Sequence, residues 1–175
     1  LDGARVFNAA ESLKVDVKEI VKNCDSVMFC LSKGLCAPVG SILAGDKDFI
    51  EKARRNRKLM GGGLRQAGII AAAGIIALEK MAKRLNVDHE NCRYLAEKLD
   101  VLKGVTVKFD RNDINMVFFE IDKSIIEEKK FVSEMLNKSI KINGQEDGEY
   151  RFVTNNDVSR EDLDYVIAEM KKIIS

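Results

Sequence analysis

The sequence predicts an α/β portion followed by a small α+β unit, and three features of its patterning predict it. Ser26-Val27-Met28-Phe29-Cys30 is almost continuously apolar, as expected of a strand covered on both faces in a parallel sheet. Helical periodicity lies on both sides of that run. From Gly104 the pattern changes to short apolar runs separated by turn residues, the mark of a small antiparallel sheet. The expected units are residues 1–85, including a bridging helix, and residues 86–175.

The elements follow in order. After Asp2, which reads as the end of a strand, Phe7 to Leu13 is a short helix, and Asp16 caps a second over Val17 to Val21. Ser26 to Cys30 is the apolar strand, and Ser41 to Gly45 the next one. Asp46 opens a helix whose end carries Arg54, Arg55, Arg57 and Lys58, cations that complement the negative end of a helix dipole. It stops at Gly61-Gly62-Gly63, where missing side chains permit positive φ; a plain turn and an active-site loop both use such a run. A long helix is expected beyond Arg65 and Gln66, to about Leu85, with Gly68 and Gly74 allowing close packing, and another from about Asp88 to Leu102. Strands are expected at Val105 to Phe109, Met116 to Ile121, Ile140 to Ile142 and Tyr150 to Val153, with a helix near Ile125 to Lys138 between the second and third. Ser159 and Asp162 form a capping box in type, and open a terminal helix with Leu163, Val166, Ile167, Met170 and Ile173 inward.

Composition narrows the function classes. With 29 basic and 28 acidic side chains among 175 residues, no net field favours a nucleic acid or an anionic membrane. The longest apolar stretch, Ala67 to Leu78, falls short of the roughly 20 residues needed to span a bilayer. Leu1 is not an initiator methionine and the chain opens on a strand end, so a fragment or processed product is expected. Cys24, Cys30, Cys36 and Cys92 form no C-x-x-C pair, and buried, reduced thiols in a cytoplasmic protein are the expectation. His89, the single histidine, sits among charged neighbours and reads as a solvated surface residue, so no metal site is expected.

The chemistry concentrates at Ser32-Lys33-Gly34, a lysine at the end of an apolar run and followed by glycine. A lysine amine held there is placed to react with a carbonyl, although most lysines after a strand are solvated loop residues. Asp2 and Arg5 offer a carboxylate and a guanidinium; by themselves they equally suit a structural ion pair. Arg65 reads as a residue closing the glycine loop and Arg151 as an exposed strand residue, until they are taken with the others.

Together, Asp2-Gly3-Ala4-Arg5, Ser32-Lys33-Gly34, Gly61-Gly62-Gly63-Leu64-Arg65-Gln66-Ala67-Gly68 and Tyr150-Arg151-Phe152-Val153-Thr154 resemble threonine aldolases of the low-specificity type, pyridoxal-phosphate enzymes of fold type I. The resemblance runs through nearly the whole chain and matches the C-terminal half of the family, whose chains are about twice as long. It implies part of the large cofactor-binding domain plus the small C-terminal domain. Lys33 would form the Schiff base with pyridoxal 5'-phosphate, Asp2 would pair with the pyridine nitrogen, and Arg65 would lie near the cofactor, with Lys58 in the same region. Arg5 and Arg151 would hold the substrate carboxylate, which two guanidinium groups grip with fixed geometry.

The reaction so implied cleaves L-threonine or L-allo-threonine, β-hydroxy-α-amino acids, to glycine and an aldehyde. The resemblance further implies an N-terminal half as partner, and a homodimer or homotetramer. The family's general base and phosphate-binding residues would lie in that other half, and Asn155 stands where the family often has histidine. Two alternatives remain: another fold type I enzyme, a β-eliminating lyase or aminotransferase, and a non-catalytic assembly or binding fragment.

Overall fold

The computed structural model describes every residue from Leu1 to Ser175 and divides into two compact units, Leu1–Asn86 and Val87–Ser175. The first contains α1 (Val6–Leu13), α2 (Val17–Val21), β1 (Ser26–Cys30), β2 (Ser41–Gly45), α3 (Lys47–Leu59) and α4 (Gly68–Glu79). A 3-10 turn, Met81–Arg84, leads into α5 (Leu85–Asp100), and the division falls in its first turn. The second unit continues with β3 (Val105–Val107), β4 (Met116–Ile121), α6 (Glu128–Asn137), β5 (Tyr150–Val153) and α7 (Arg160–Ile173). No helix is long and apolar enough to cross a membrane.

In the first unit, β1 and β2 pair antiparallel, with Ser26 opposite Gly45 and Cys30 opposite Ser41. This corrects the expectation of a parallel strand covered on both faces: β1 is half-buried along its length and β2 is exposed. The connection Leu31 to Gly40 contains no helix, and a parallel return requires a crossover of a dozen or more residues. One parallel partner does exist. Asp2 bridges Met28, the Gly3 N–H donates to the Met28 carbonyl at 2.8 Å, and the Met28 N–H donates to the Leu1 carbonyl at 3.0 Å.

Helix starts obey local chemistry. Asp16 accepts from the Lys18 N–H and Asp46 from the Phe49 N–H, each at 2.8 Å. Ser159 and Asp162 complete their capping box at α7, the Ser159 hydroxyl accepting from the Asp162 N–H while the Asp162 carboxylate accepts from the Ser159 N–H. That carboxylate bond holds the Asp162 carboxyl below the usual range. Ser159→Ala is expected to cost about 1 kcal/mol, read as a lower urea midpoint at unchanged m-value. The expected long helix ends early, at Glu79, and tightens into the 3-10 turn that draws Leu85 into an apolar cluster with Leu31, Leu35, Ala37 and Ala77.

The second unit is an antiparallel sheet of order β3-β4-β5. Its core joins Leu95, Leu99, Val117, Phe119, Phe131, Met135, Tyr150 and Met170, all of them at most 1% exposed. Phe109, expected to end a strand, lies instead in the 3-10 turn Phe109–Arg111. The expected strand at Ile140 to Ile142 is also corrected: the alternation is there, with both isoleucines buried and Lys141 exposed, but the segment forms no ladder. Only the end next to the turn closes, through mutual Glu146 and Glu149 backbone bonds around Asp147 and Gly148 at φ 54° and 87°, the positive pair that a tight hairpin turn demands.

Two surface expectations fail. His89 is buried, 3% exposed, because it follows Leu85 by four residues and precedes Cys92 by three, on the inward face of α5; its charged neighbours were the wrong guide. Of the cysteines, only Cys92 is buried; Cys30 and Cys36 are half-buried and Cys24 is exposed, all four as free thiols. Burial pushes the Cys92 thiol up to about 12.

Candidate active site

Lys33 stands at the tip of the loop that follows β1. The loop is closed by three backbone bonds: Leu31 N–H to Gly40 O at 3.0 Å, Ala37 N–H to Leu31 O at 3.0 Å and Cys36 N–H to Lys33 O at 2.9 Å. Leu31, Leu35 and Ala37 anchor it in the apolar cluster, and this leaves the Lys33 side chain exposed. Gly34 suits close packing: a Cβ there would stand 3.0 Å from Asn8 Oδ1 and 3.1 Å from a Leu85 methyl, so both neighbours would have to give. Asn8, 3% exposed on α1, thus packs against Gly34, the residue after the lysine.

Asp2 reaches the same region by backbone pairing. Residues 1–4 run parallel to β1, from the Leu1 and Gly3 bonds with Met28 to the Cys30 N–H donating to the Ala4 carbonyl at 3.3 Å. Both segments therefore end on the same side, one releasing Arg5 and the other Lys33, and ligands of open α/β sheets gather outside such carboxyl ends. Asp2 is exposed, and its Oδ1 accepts from the Ala4 N–H at 3.3 Å. Arg5 is half-buried at the start of α1, its Nε fully enclosed.

The glycine run serves first as a helix stop. Gly61 takes φ 81° and its N–H donates to the Lys58 carbonyl at 3.2 Å, while a Cβ on Gly62 would meet Arg57 at 2.9 Å. Arg65 and Lys58 are both exposed beside it, and no hydrogen bond joins either to Asp2 or Lys33. Arg151 belongs to the second unit. It lies exposed on the edge strand β5, opposite Phe118 of β4, and Arg111 stacks on the Phe118 ring at 3.9 Å while pairing with Glu149. Arg151 lines a cavity of about 620 Å³ shared with Phe152, Lys141, Glu149 and Leu163. Asn155 is committed to a turn, its Oδ1 accepting from the Asp157 N–H at 2.8 Å.

Asn8 carried no sequence signature, being one polar residue in a short amphipathic helix. The roles of Asn115 and Thr154, each 1% exposed, were missed as well. Thr154 stands in the sequence only as the last residue of the Tyr150-Arg151-Phe152-Val153-Thr154 motif, with no role of its own.

The fold is that of the fold type I pyridoxal-phosphate enzymes: a solved putative L-allo-threonine aldolase from Listeria monocytogenes EGD-E superposes with a TM-score of 0.79 at 21% identity, over 99% of this chain and 51% of that one. Residues 1–123 match the family model described as beta-eliminating lyase, and the chain belongs to that family. Its sequence is 42% identical over 179 residues to the low specificity L-threonine aldolase of Escherichia coli (strain K12), covering all of this chain and 50% of that protein. It is 38% identical over 173 residues to low-specificity L-threonine aldolase 1 of Arabidopsis thaliana, covering 96% and 47% respectively. The chain spans about half the length of the curated relatives it matches.

Proposed function

We propose that this chain is the C-terminal half of a pyridoxal-phosphate enzyme that cleaves L-threonine or L-allo-threonine to glycine and an aldehyde. The observation that carries the reading is the parallel seating of residues 1–4 on β1, by which Arg5 and the Lys33 loop leave the same end of one small sheet, with Asp2 beside Met28 in the strand that leads there. The donor set fits the cofactor: a free amine on an anchored loop, a carboxylate for a ring nitrogen, and guanidinium groups for carboxylate or phosphate. Lys33 Nζ would hold the cofactor's aldehyde carbon, Asp2 would keep a proton on its pyridine nitrogen, and Arg65 would stand by it.

Pyridoxal phosphate, when bound, supplies an electron sink that takes up the bonding pair as the Cα–Cβ bond breaks. Arg5 and Arg151 would grip the substrate carboxylate, and that grip selects which bond at Cα is aligned for cleavage. Exposed Ile69, Ile75 and Ile76 on α4, between 51% and 82% accessible, support assembly with the N-terminal half and into a homodimer or homotetramer. A cytoplasmic setting accompanies the reading.

The family name favours one second reading, β-elimination, with ammonia and a keto acid as products. An assay of the complete enzyme on L-threonine and L-allo-threonine separates the two. Glycine and acetaldehyde in equal amounts are expected; ammonia and a keto acid without glycine would overturn the aldolase reading. Borohydride reduction followed by peptide mapping should place the cofactor on Lys33, and labelling spread over surface lysines would refute its assigned role.

A further inference from the structure

We propose that Thr154 and Asn115 are positioning residues for Arg151, an inference that rests on Arg151 gripping the substrate carboxylate. Thr154 directly follows β5, three residues beyond Arg151, and uses all of its polar groups at once. Its N–H donates to the Asn115 carbonyl at 3.1 Å, its carbonyl accepts from Asn115 Nδ2 at 2.7 Å, and its hydroxyl donates to the Asp88 carbonyl in the first turn of α5 at 2.7 Å. The end of β5 is thereby fastened to the residue before β4 on one side and to a helix on the other.

Packing alone does not require such a clamp. Valine matches threonine in volume, and the neighbouring core positions Val117 and Phe152 are apolar. Burying a hydroxyl and an amide is unfavourable unless their bonds are made, so the bonds must hold one geometry. What they fix is the place of β5 along its ladder. Tyr150 and Phe152 face the core while Arg151 faces out, and a displacement of one residue exchanges the two faces. Smaller displacements matter too, because the strand between Thr154 and Arg151 is laddered to β4 and transmits a shift to the guanidinium, where about 1 Å of misplacement costs up to roughly a hundredfold.

The test is a cycle in the complete enzyme. Thr154→Val is expected to raise KM roughly tenfold and to lower kcat with it, because the lost bond loosens an arginine that both binds the substrate carboxylate and sets the alignment at Cα. Thr154→Ser, which keeps the hydroxyl, should restore KM to within about twofold. In an Arg151→Ala background, already raised in KM, Thr154→Val should add nothing. Equal multiplication of KM by Thr154→Val in both backgrounds would overturn the positioning role and leave the carboxylate reading standing. An Arg151→Ala enzyme with unchanged KM would remove that reading itself, and the proposal with it. Should Thr154→Val fail to fold, Thr154→Cys, close in volume with a weaker donor, supplies the graded version of the same cycle.

Discussion

Replacing Lys33 with alanine in the complete enzyme is expected to lower kcat/KM for glycine release by at least about a thousandfold, roughly 4 kcal/mol of barrier. The expectation rests on the proposed covalent role of its amine. Lys33 is exposed at the tip of an anchored loop and holds no structural ion pair, so its loss should leave the fold intact and the unfolding midpoint within about 0.5 kcal/mol of the parent. Lys33→Arg separates covalent chemistry from charge: arginine keeps the cation but is never deprotonated in proteins, and so offers no nucleophilic nitrogen. It should be as inactive as the alanine variant. Retention of more than about a tenth of activity by the arginine variant would reduce Lys33 to an electrostatic group. Lys47→Ala, on the exposed start of α3, should leave activity unchanged and serves as the control.

The residues proposed for that site stand out in the sequence as types, and their arrangement does not. Asp2, Arg5, Lys33, Arg65 and Arg151 stand out because carboxylate, amine and guanidinium groups occur beside glycines in a family's order. The partnership of Asp2 with β1 depends on which backbone lies beside Met28, a non-local pairing that no short window contains. For the same reason β1, the strand before Lys33, was expected in a parallel sheet. A continuous apolar run reports burial demand, and antiparallel β1 and β2 satisfy the same run by another route.

Local chemistry was easier to read. Asp16, Asp46 and Ser159 were found as caps because each acts on an N–H two or three residues away. His89 shows the opposite case. Its sequence neighbours Asp88 and Glu90 suggested water, yet the period of α5 carries it inward with Leu85, Cys92 and Leu95. Ile140 and Ile142 lie between these extremes: their alternation correctly marked them as buried, while ladder bonds depend on a neighbour's approach that alternation does not encode. Asn8 and Asn115 escaped, and Thr154 was named without a role, because a buried polar residue is recognisable only once its partners are known.

Phe119→Ala should destabilise the chain by about 3–5 kcal/mol, a large share of the roughly 5–15 kcal/mol that holds a typical domain together. Phe119 is wholly buried in β4, stacked against Tyr150 at 5.4 Å and Phe152 at 5.2 Å, while Phe131 meets Tyr150 edge-on at 5.0 Å. Removing the ring empties the centre of this group, and the two rings from β5 cannot refill it without leaving the ladder that fixes Arg151. Urea unfolding followed by tyrosine fluorescence reads the loss. Phe109→Ala, at a side chain 49% exposed, should shift the midpoint by less than about 1 kcal/mol. An independent reading comes from alkali. Burial, with a smaller contribution from Glu128, pushes the Tyr150 hydroxyl up to about 12 from an ordinary 10.0. Because its folded value is raised, the stability it contributes is complete below pH 10 and is lost as pH climbs toward 12. Phe119→Ala should therefore bring the 295 nm ionisation of this tyrosine down toward pH 10, together with the lower urea midpoint. A variant that loses less than about 1 kcal/mol and keeps the high ionisation would show that the aromatic group is not what secures β5.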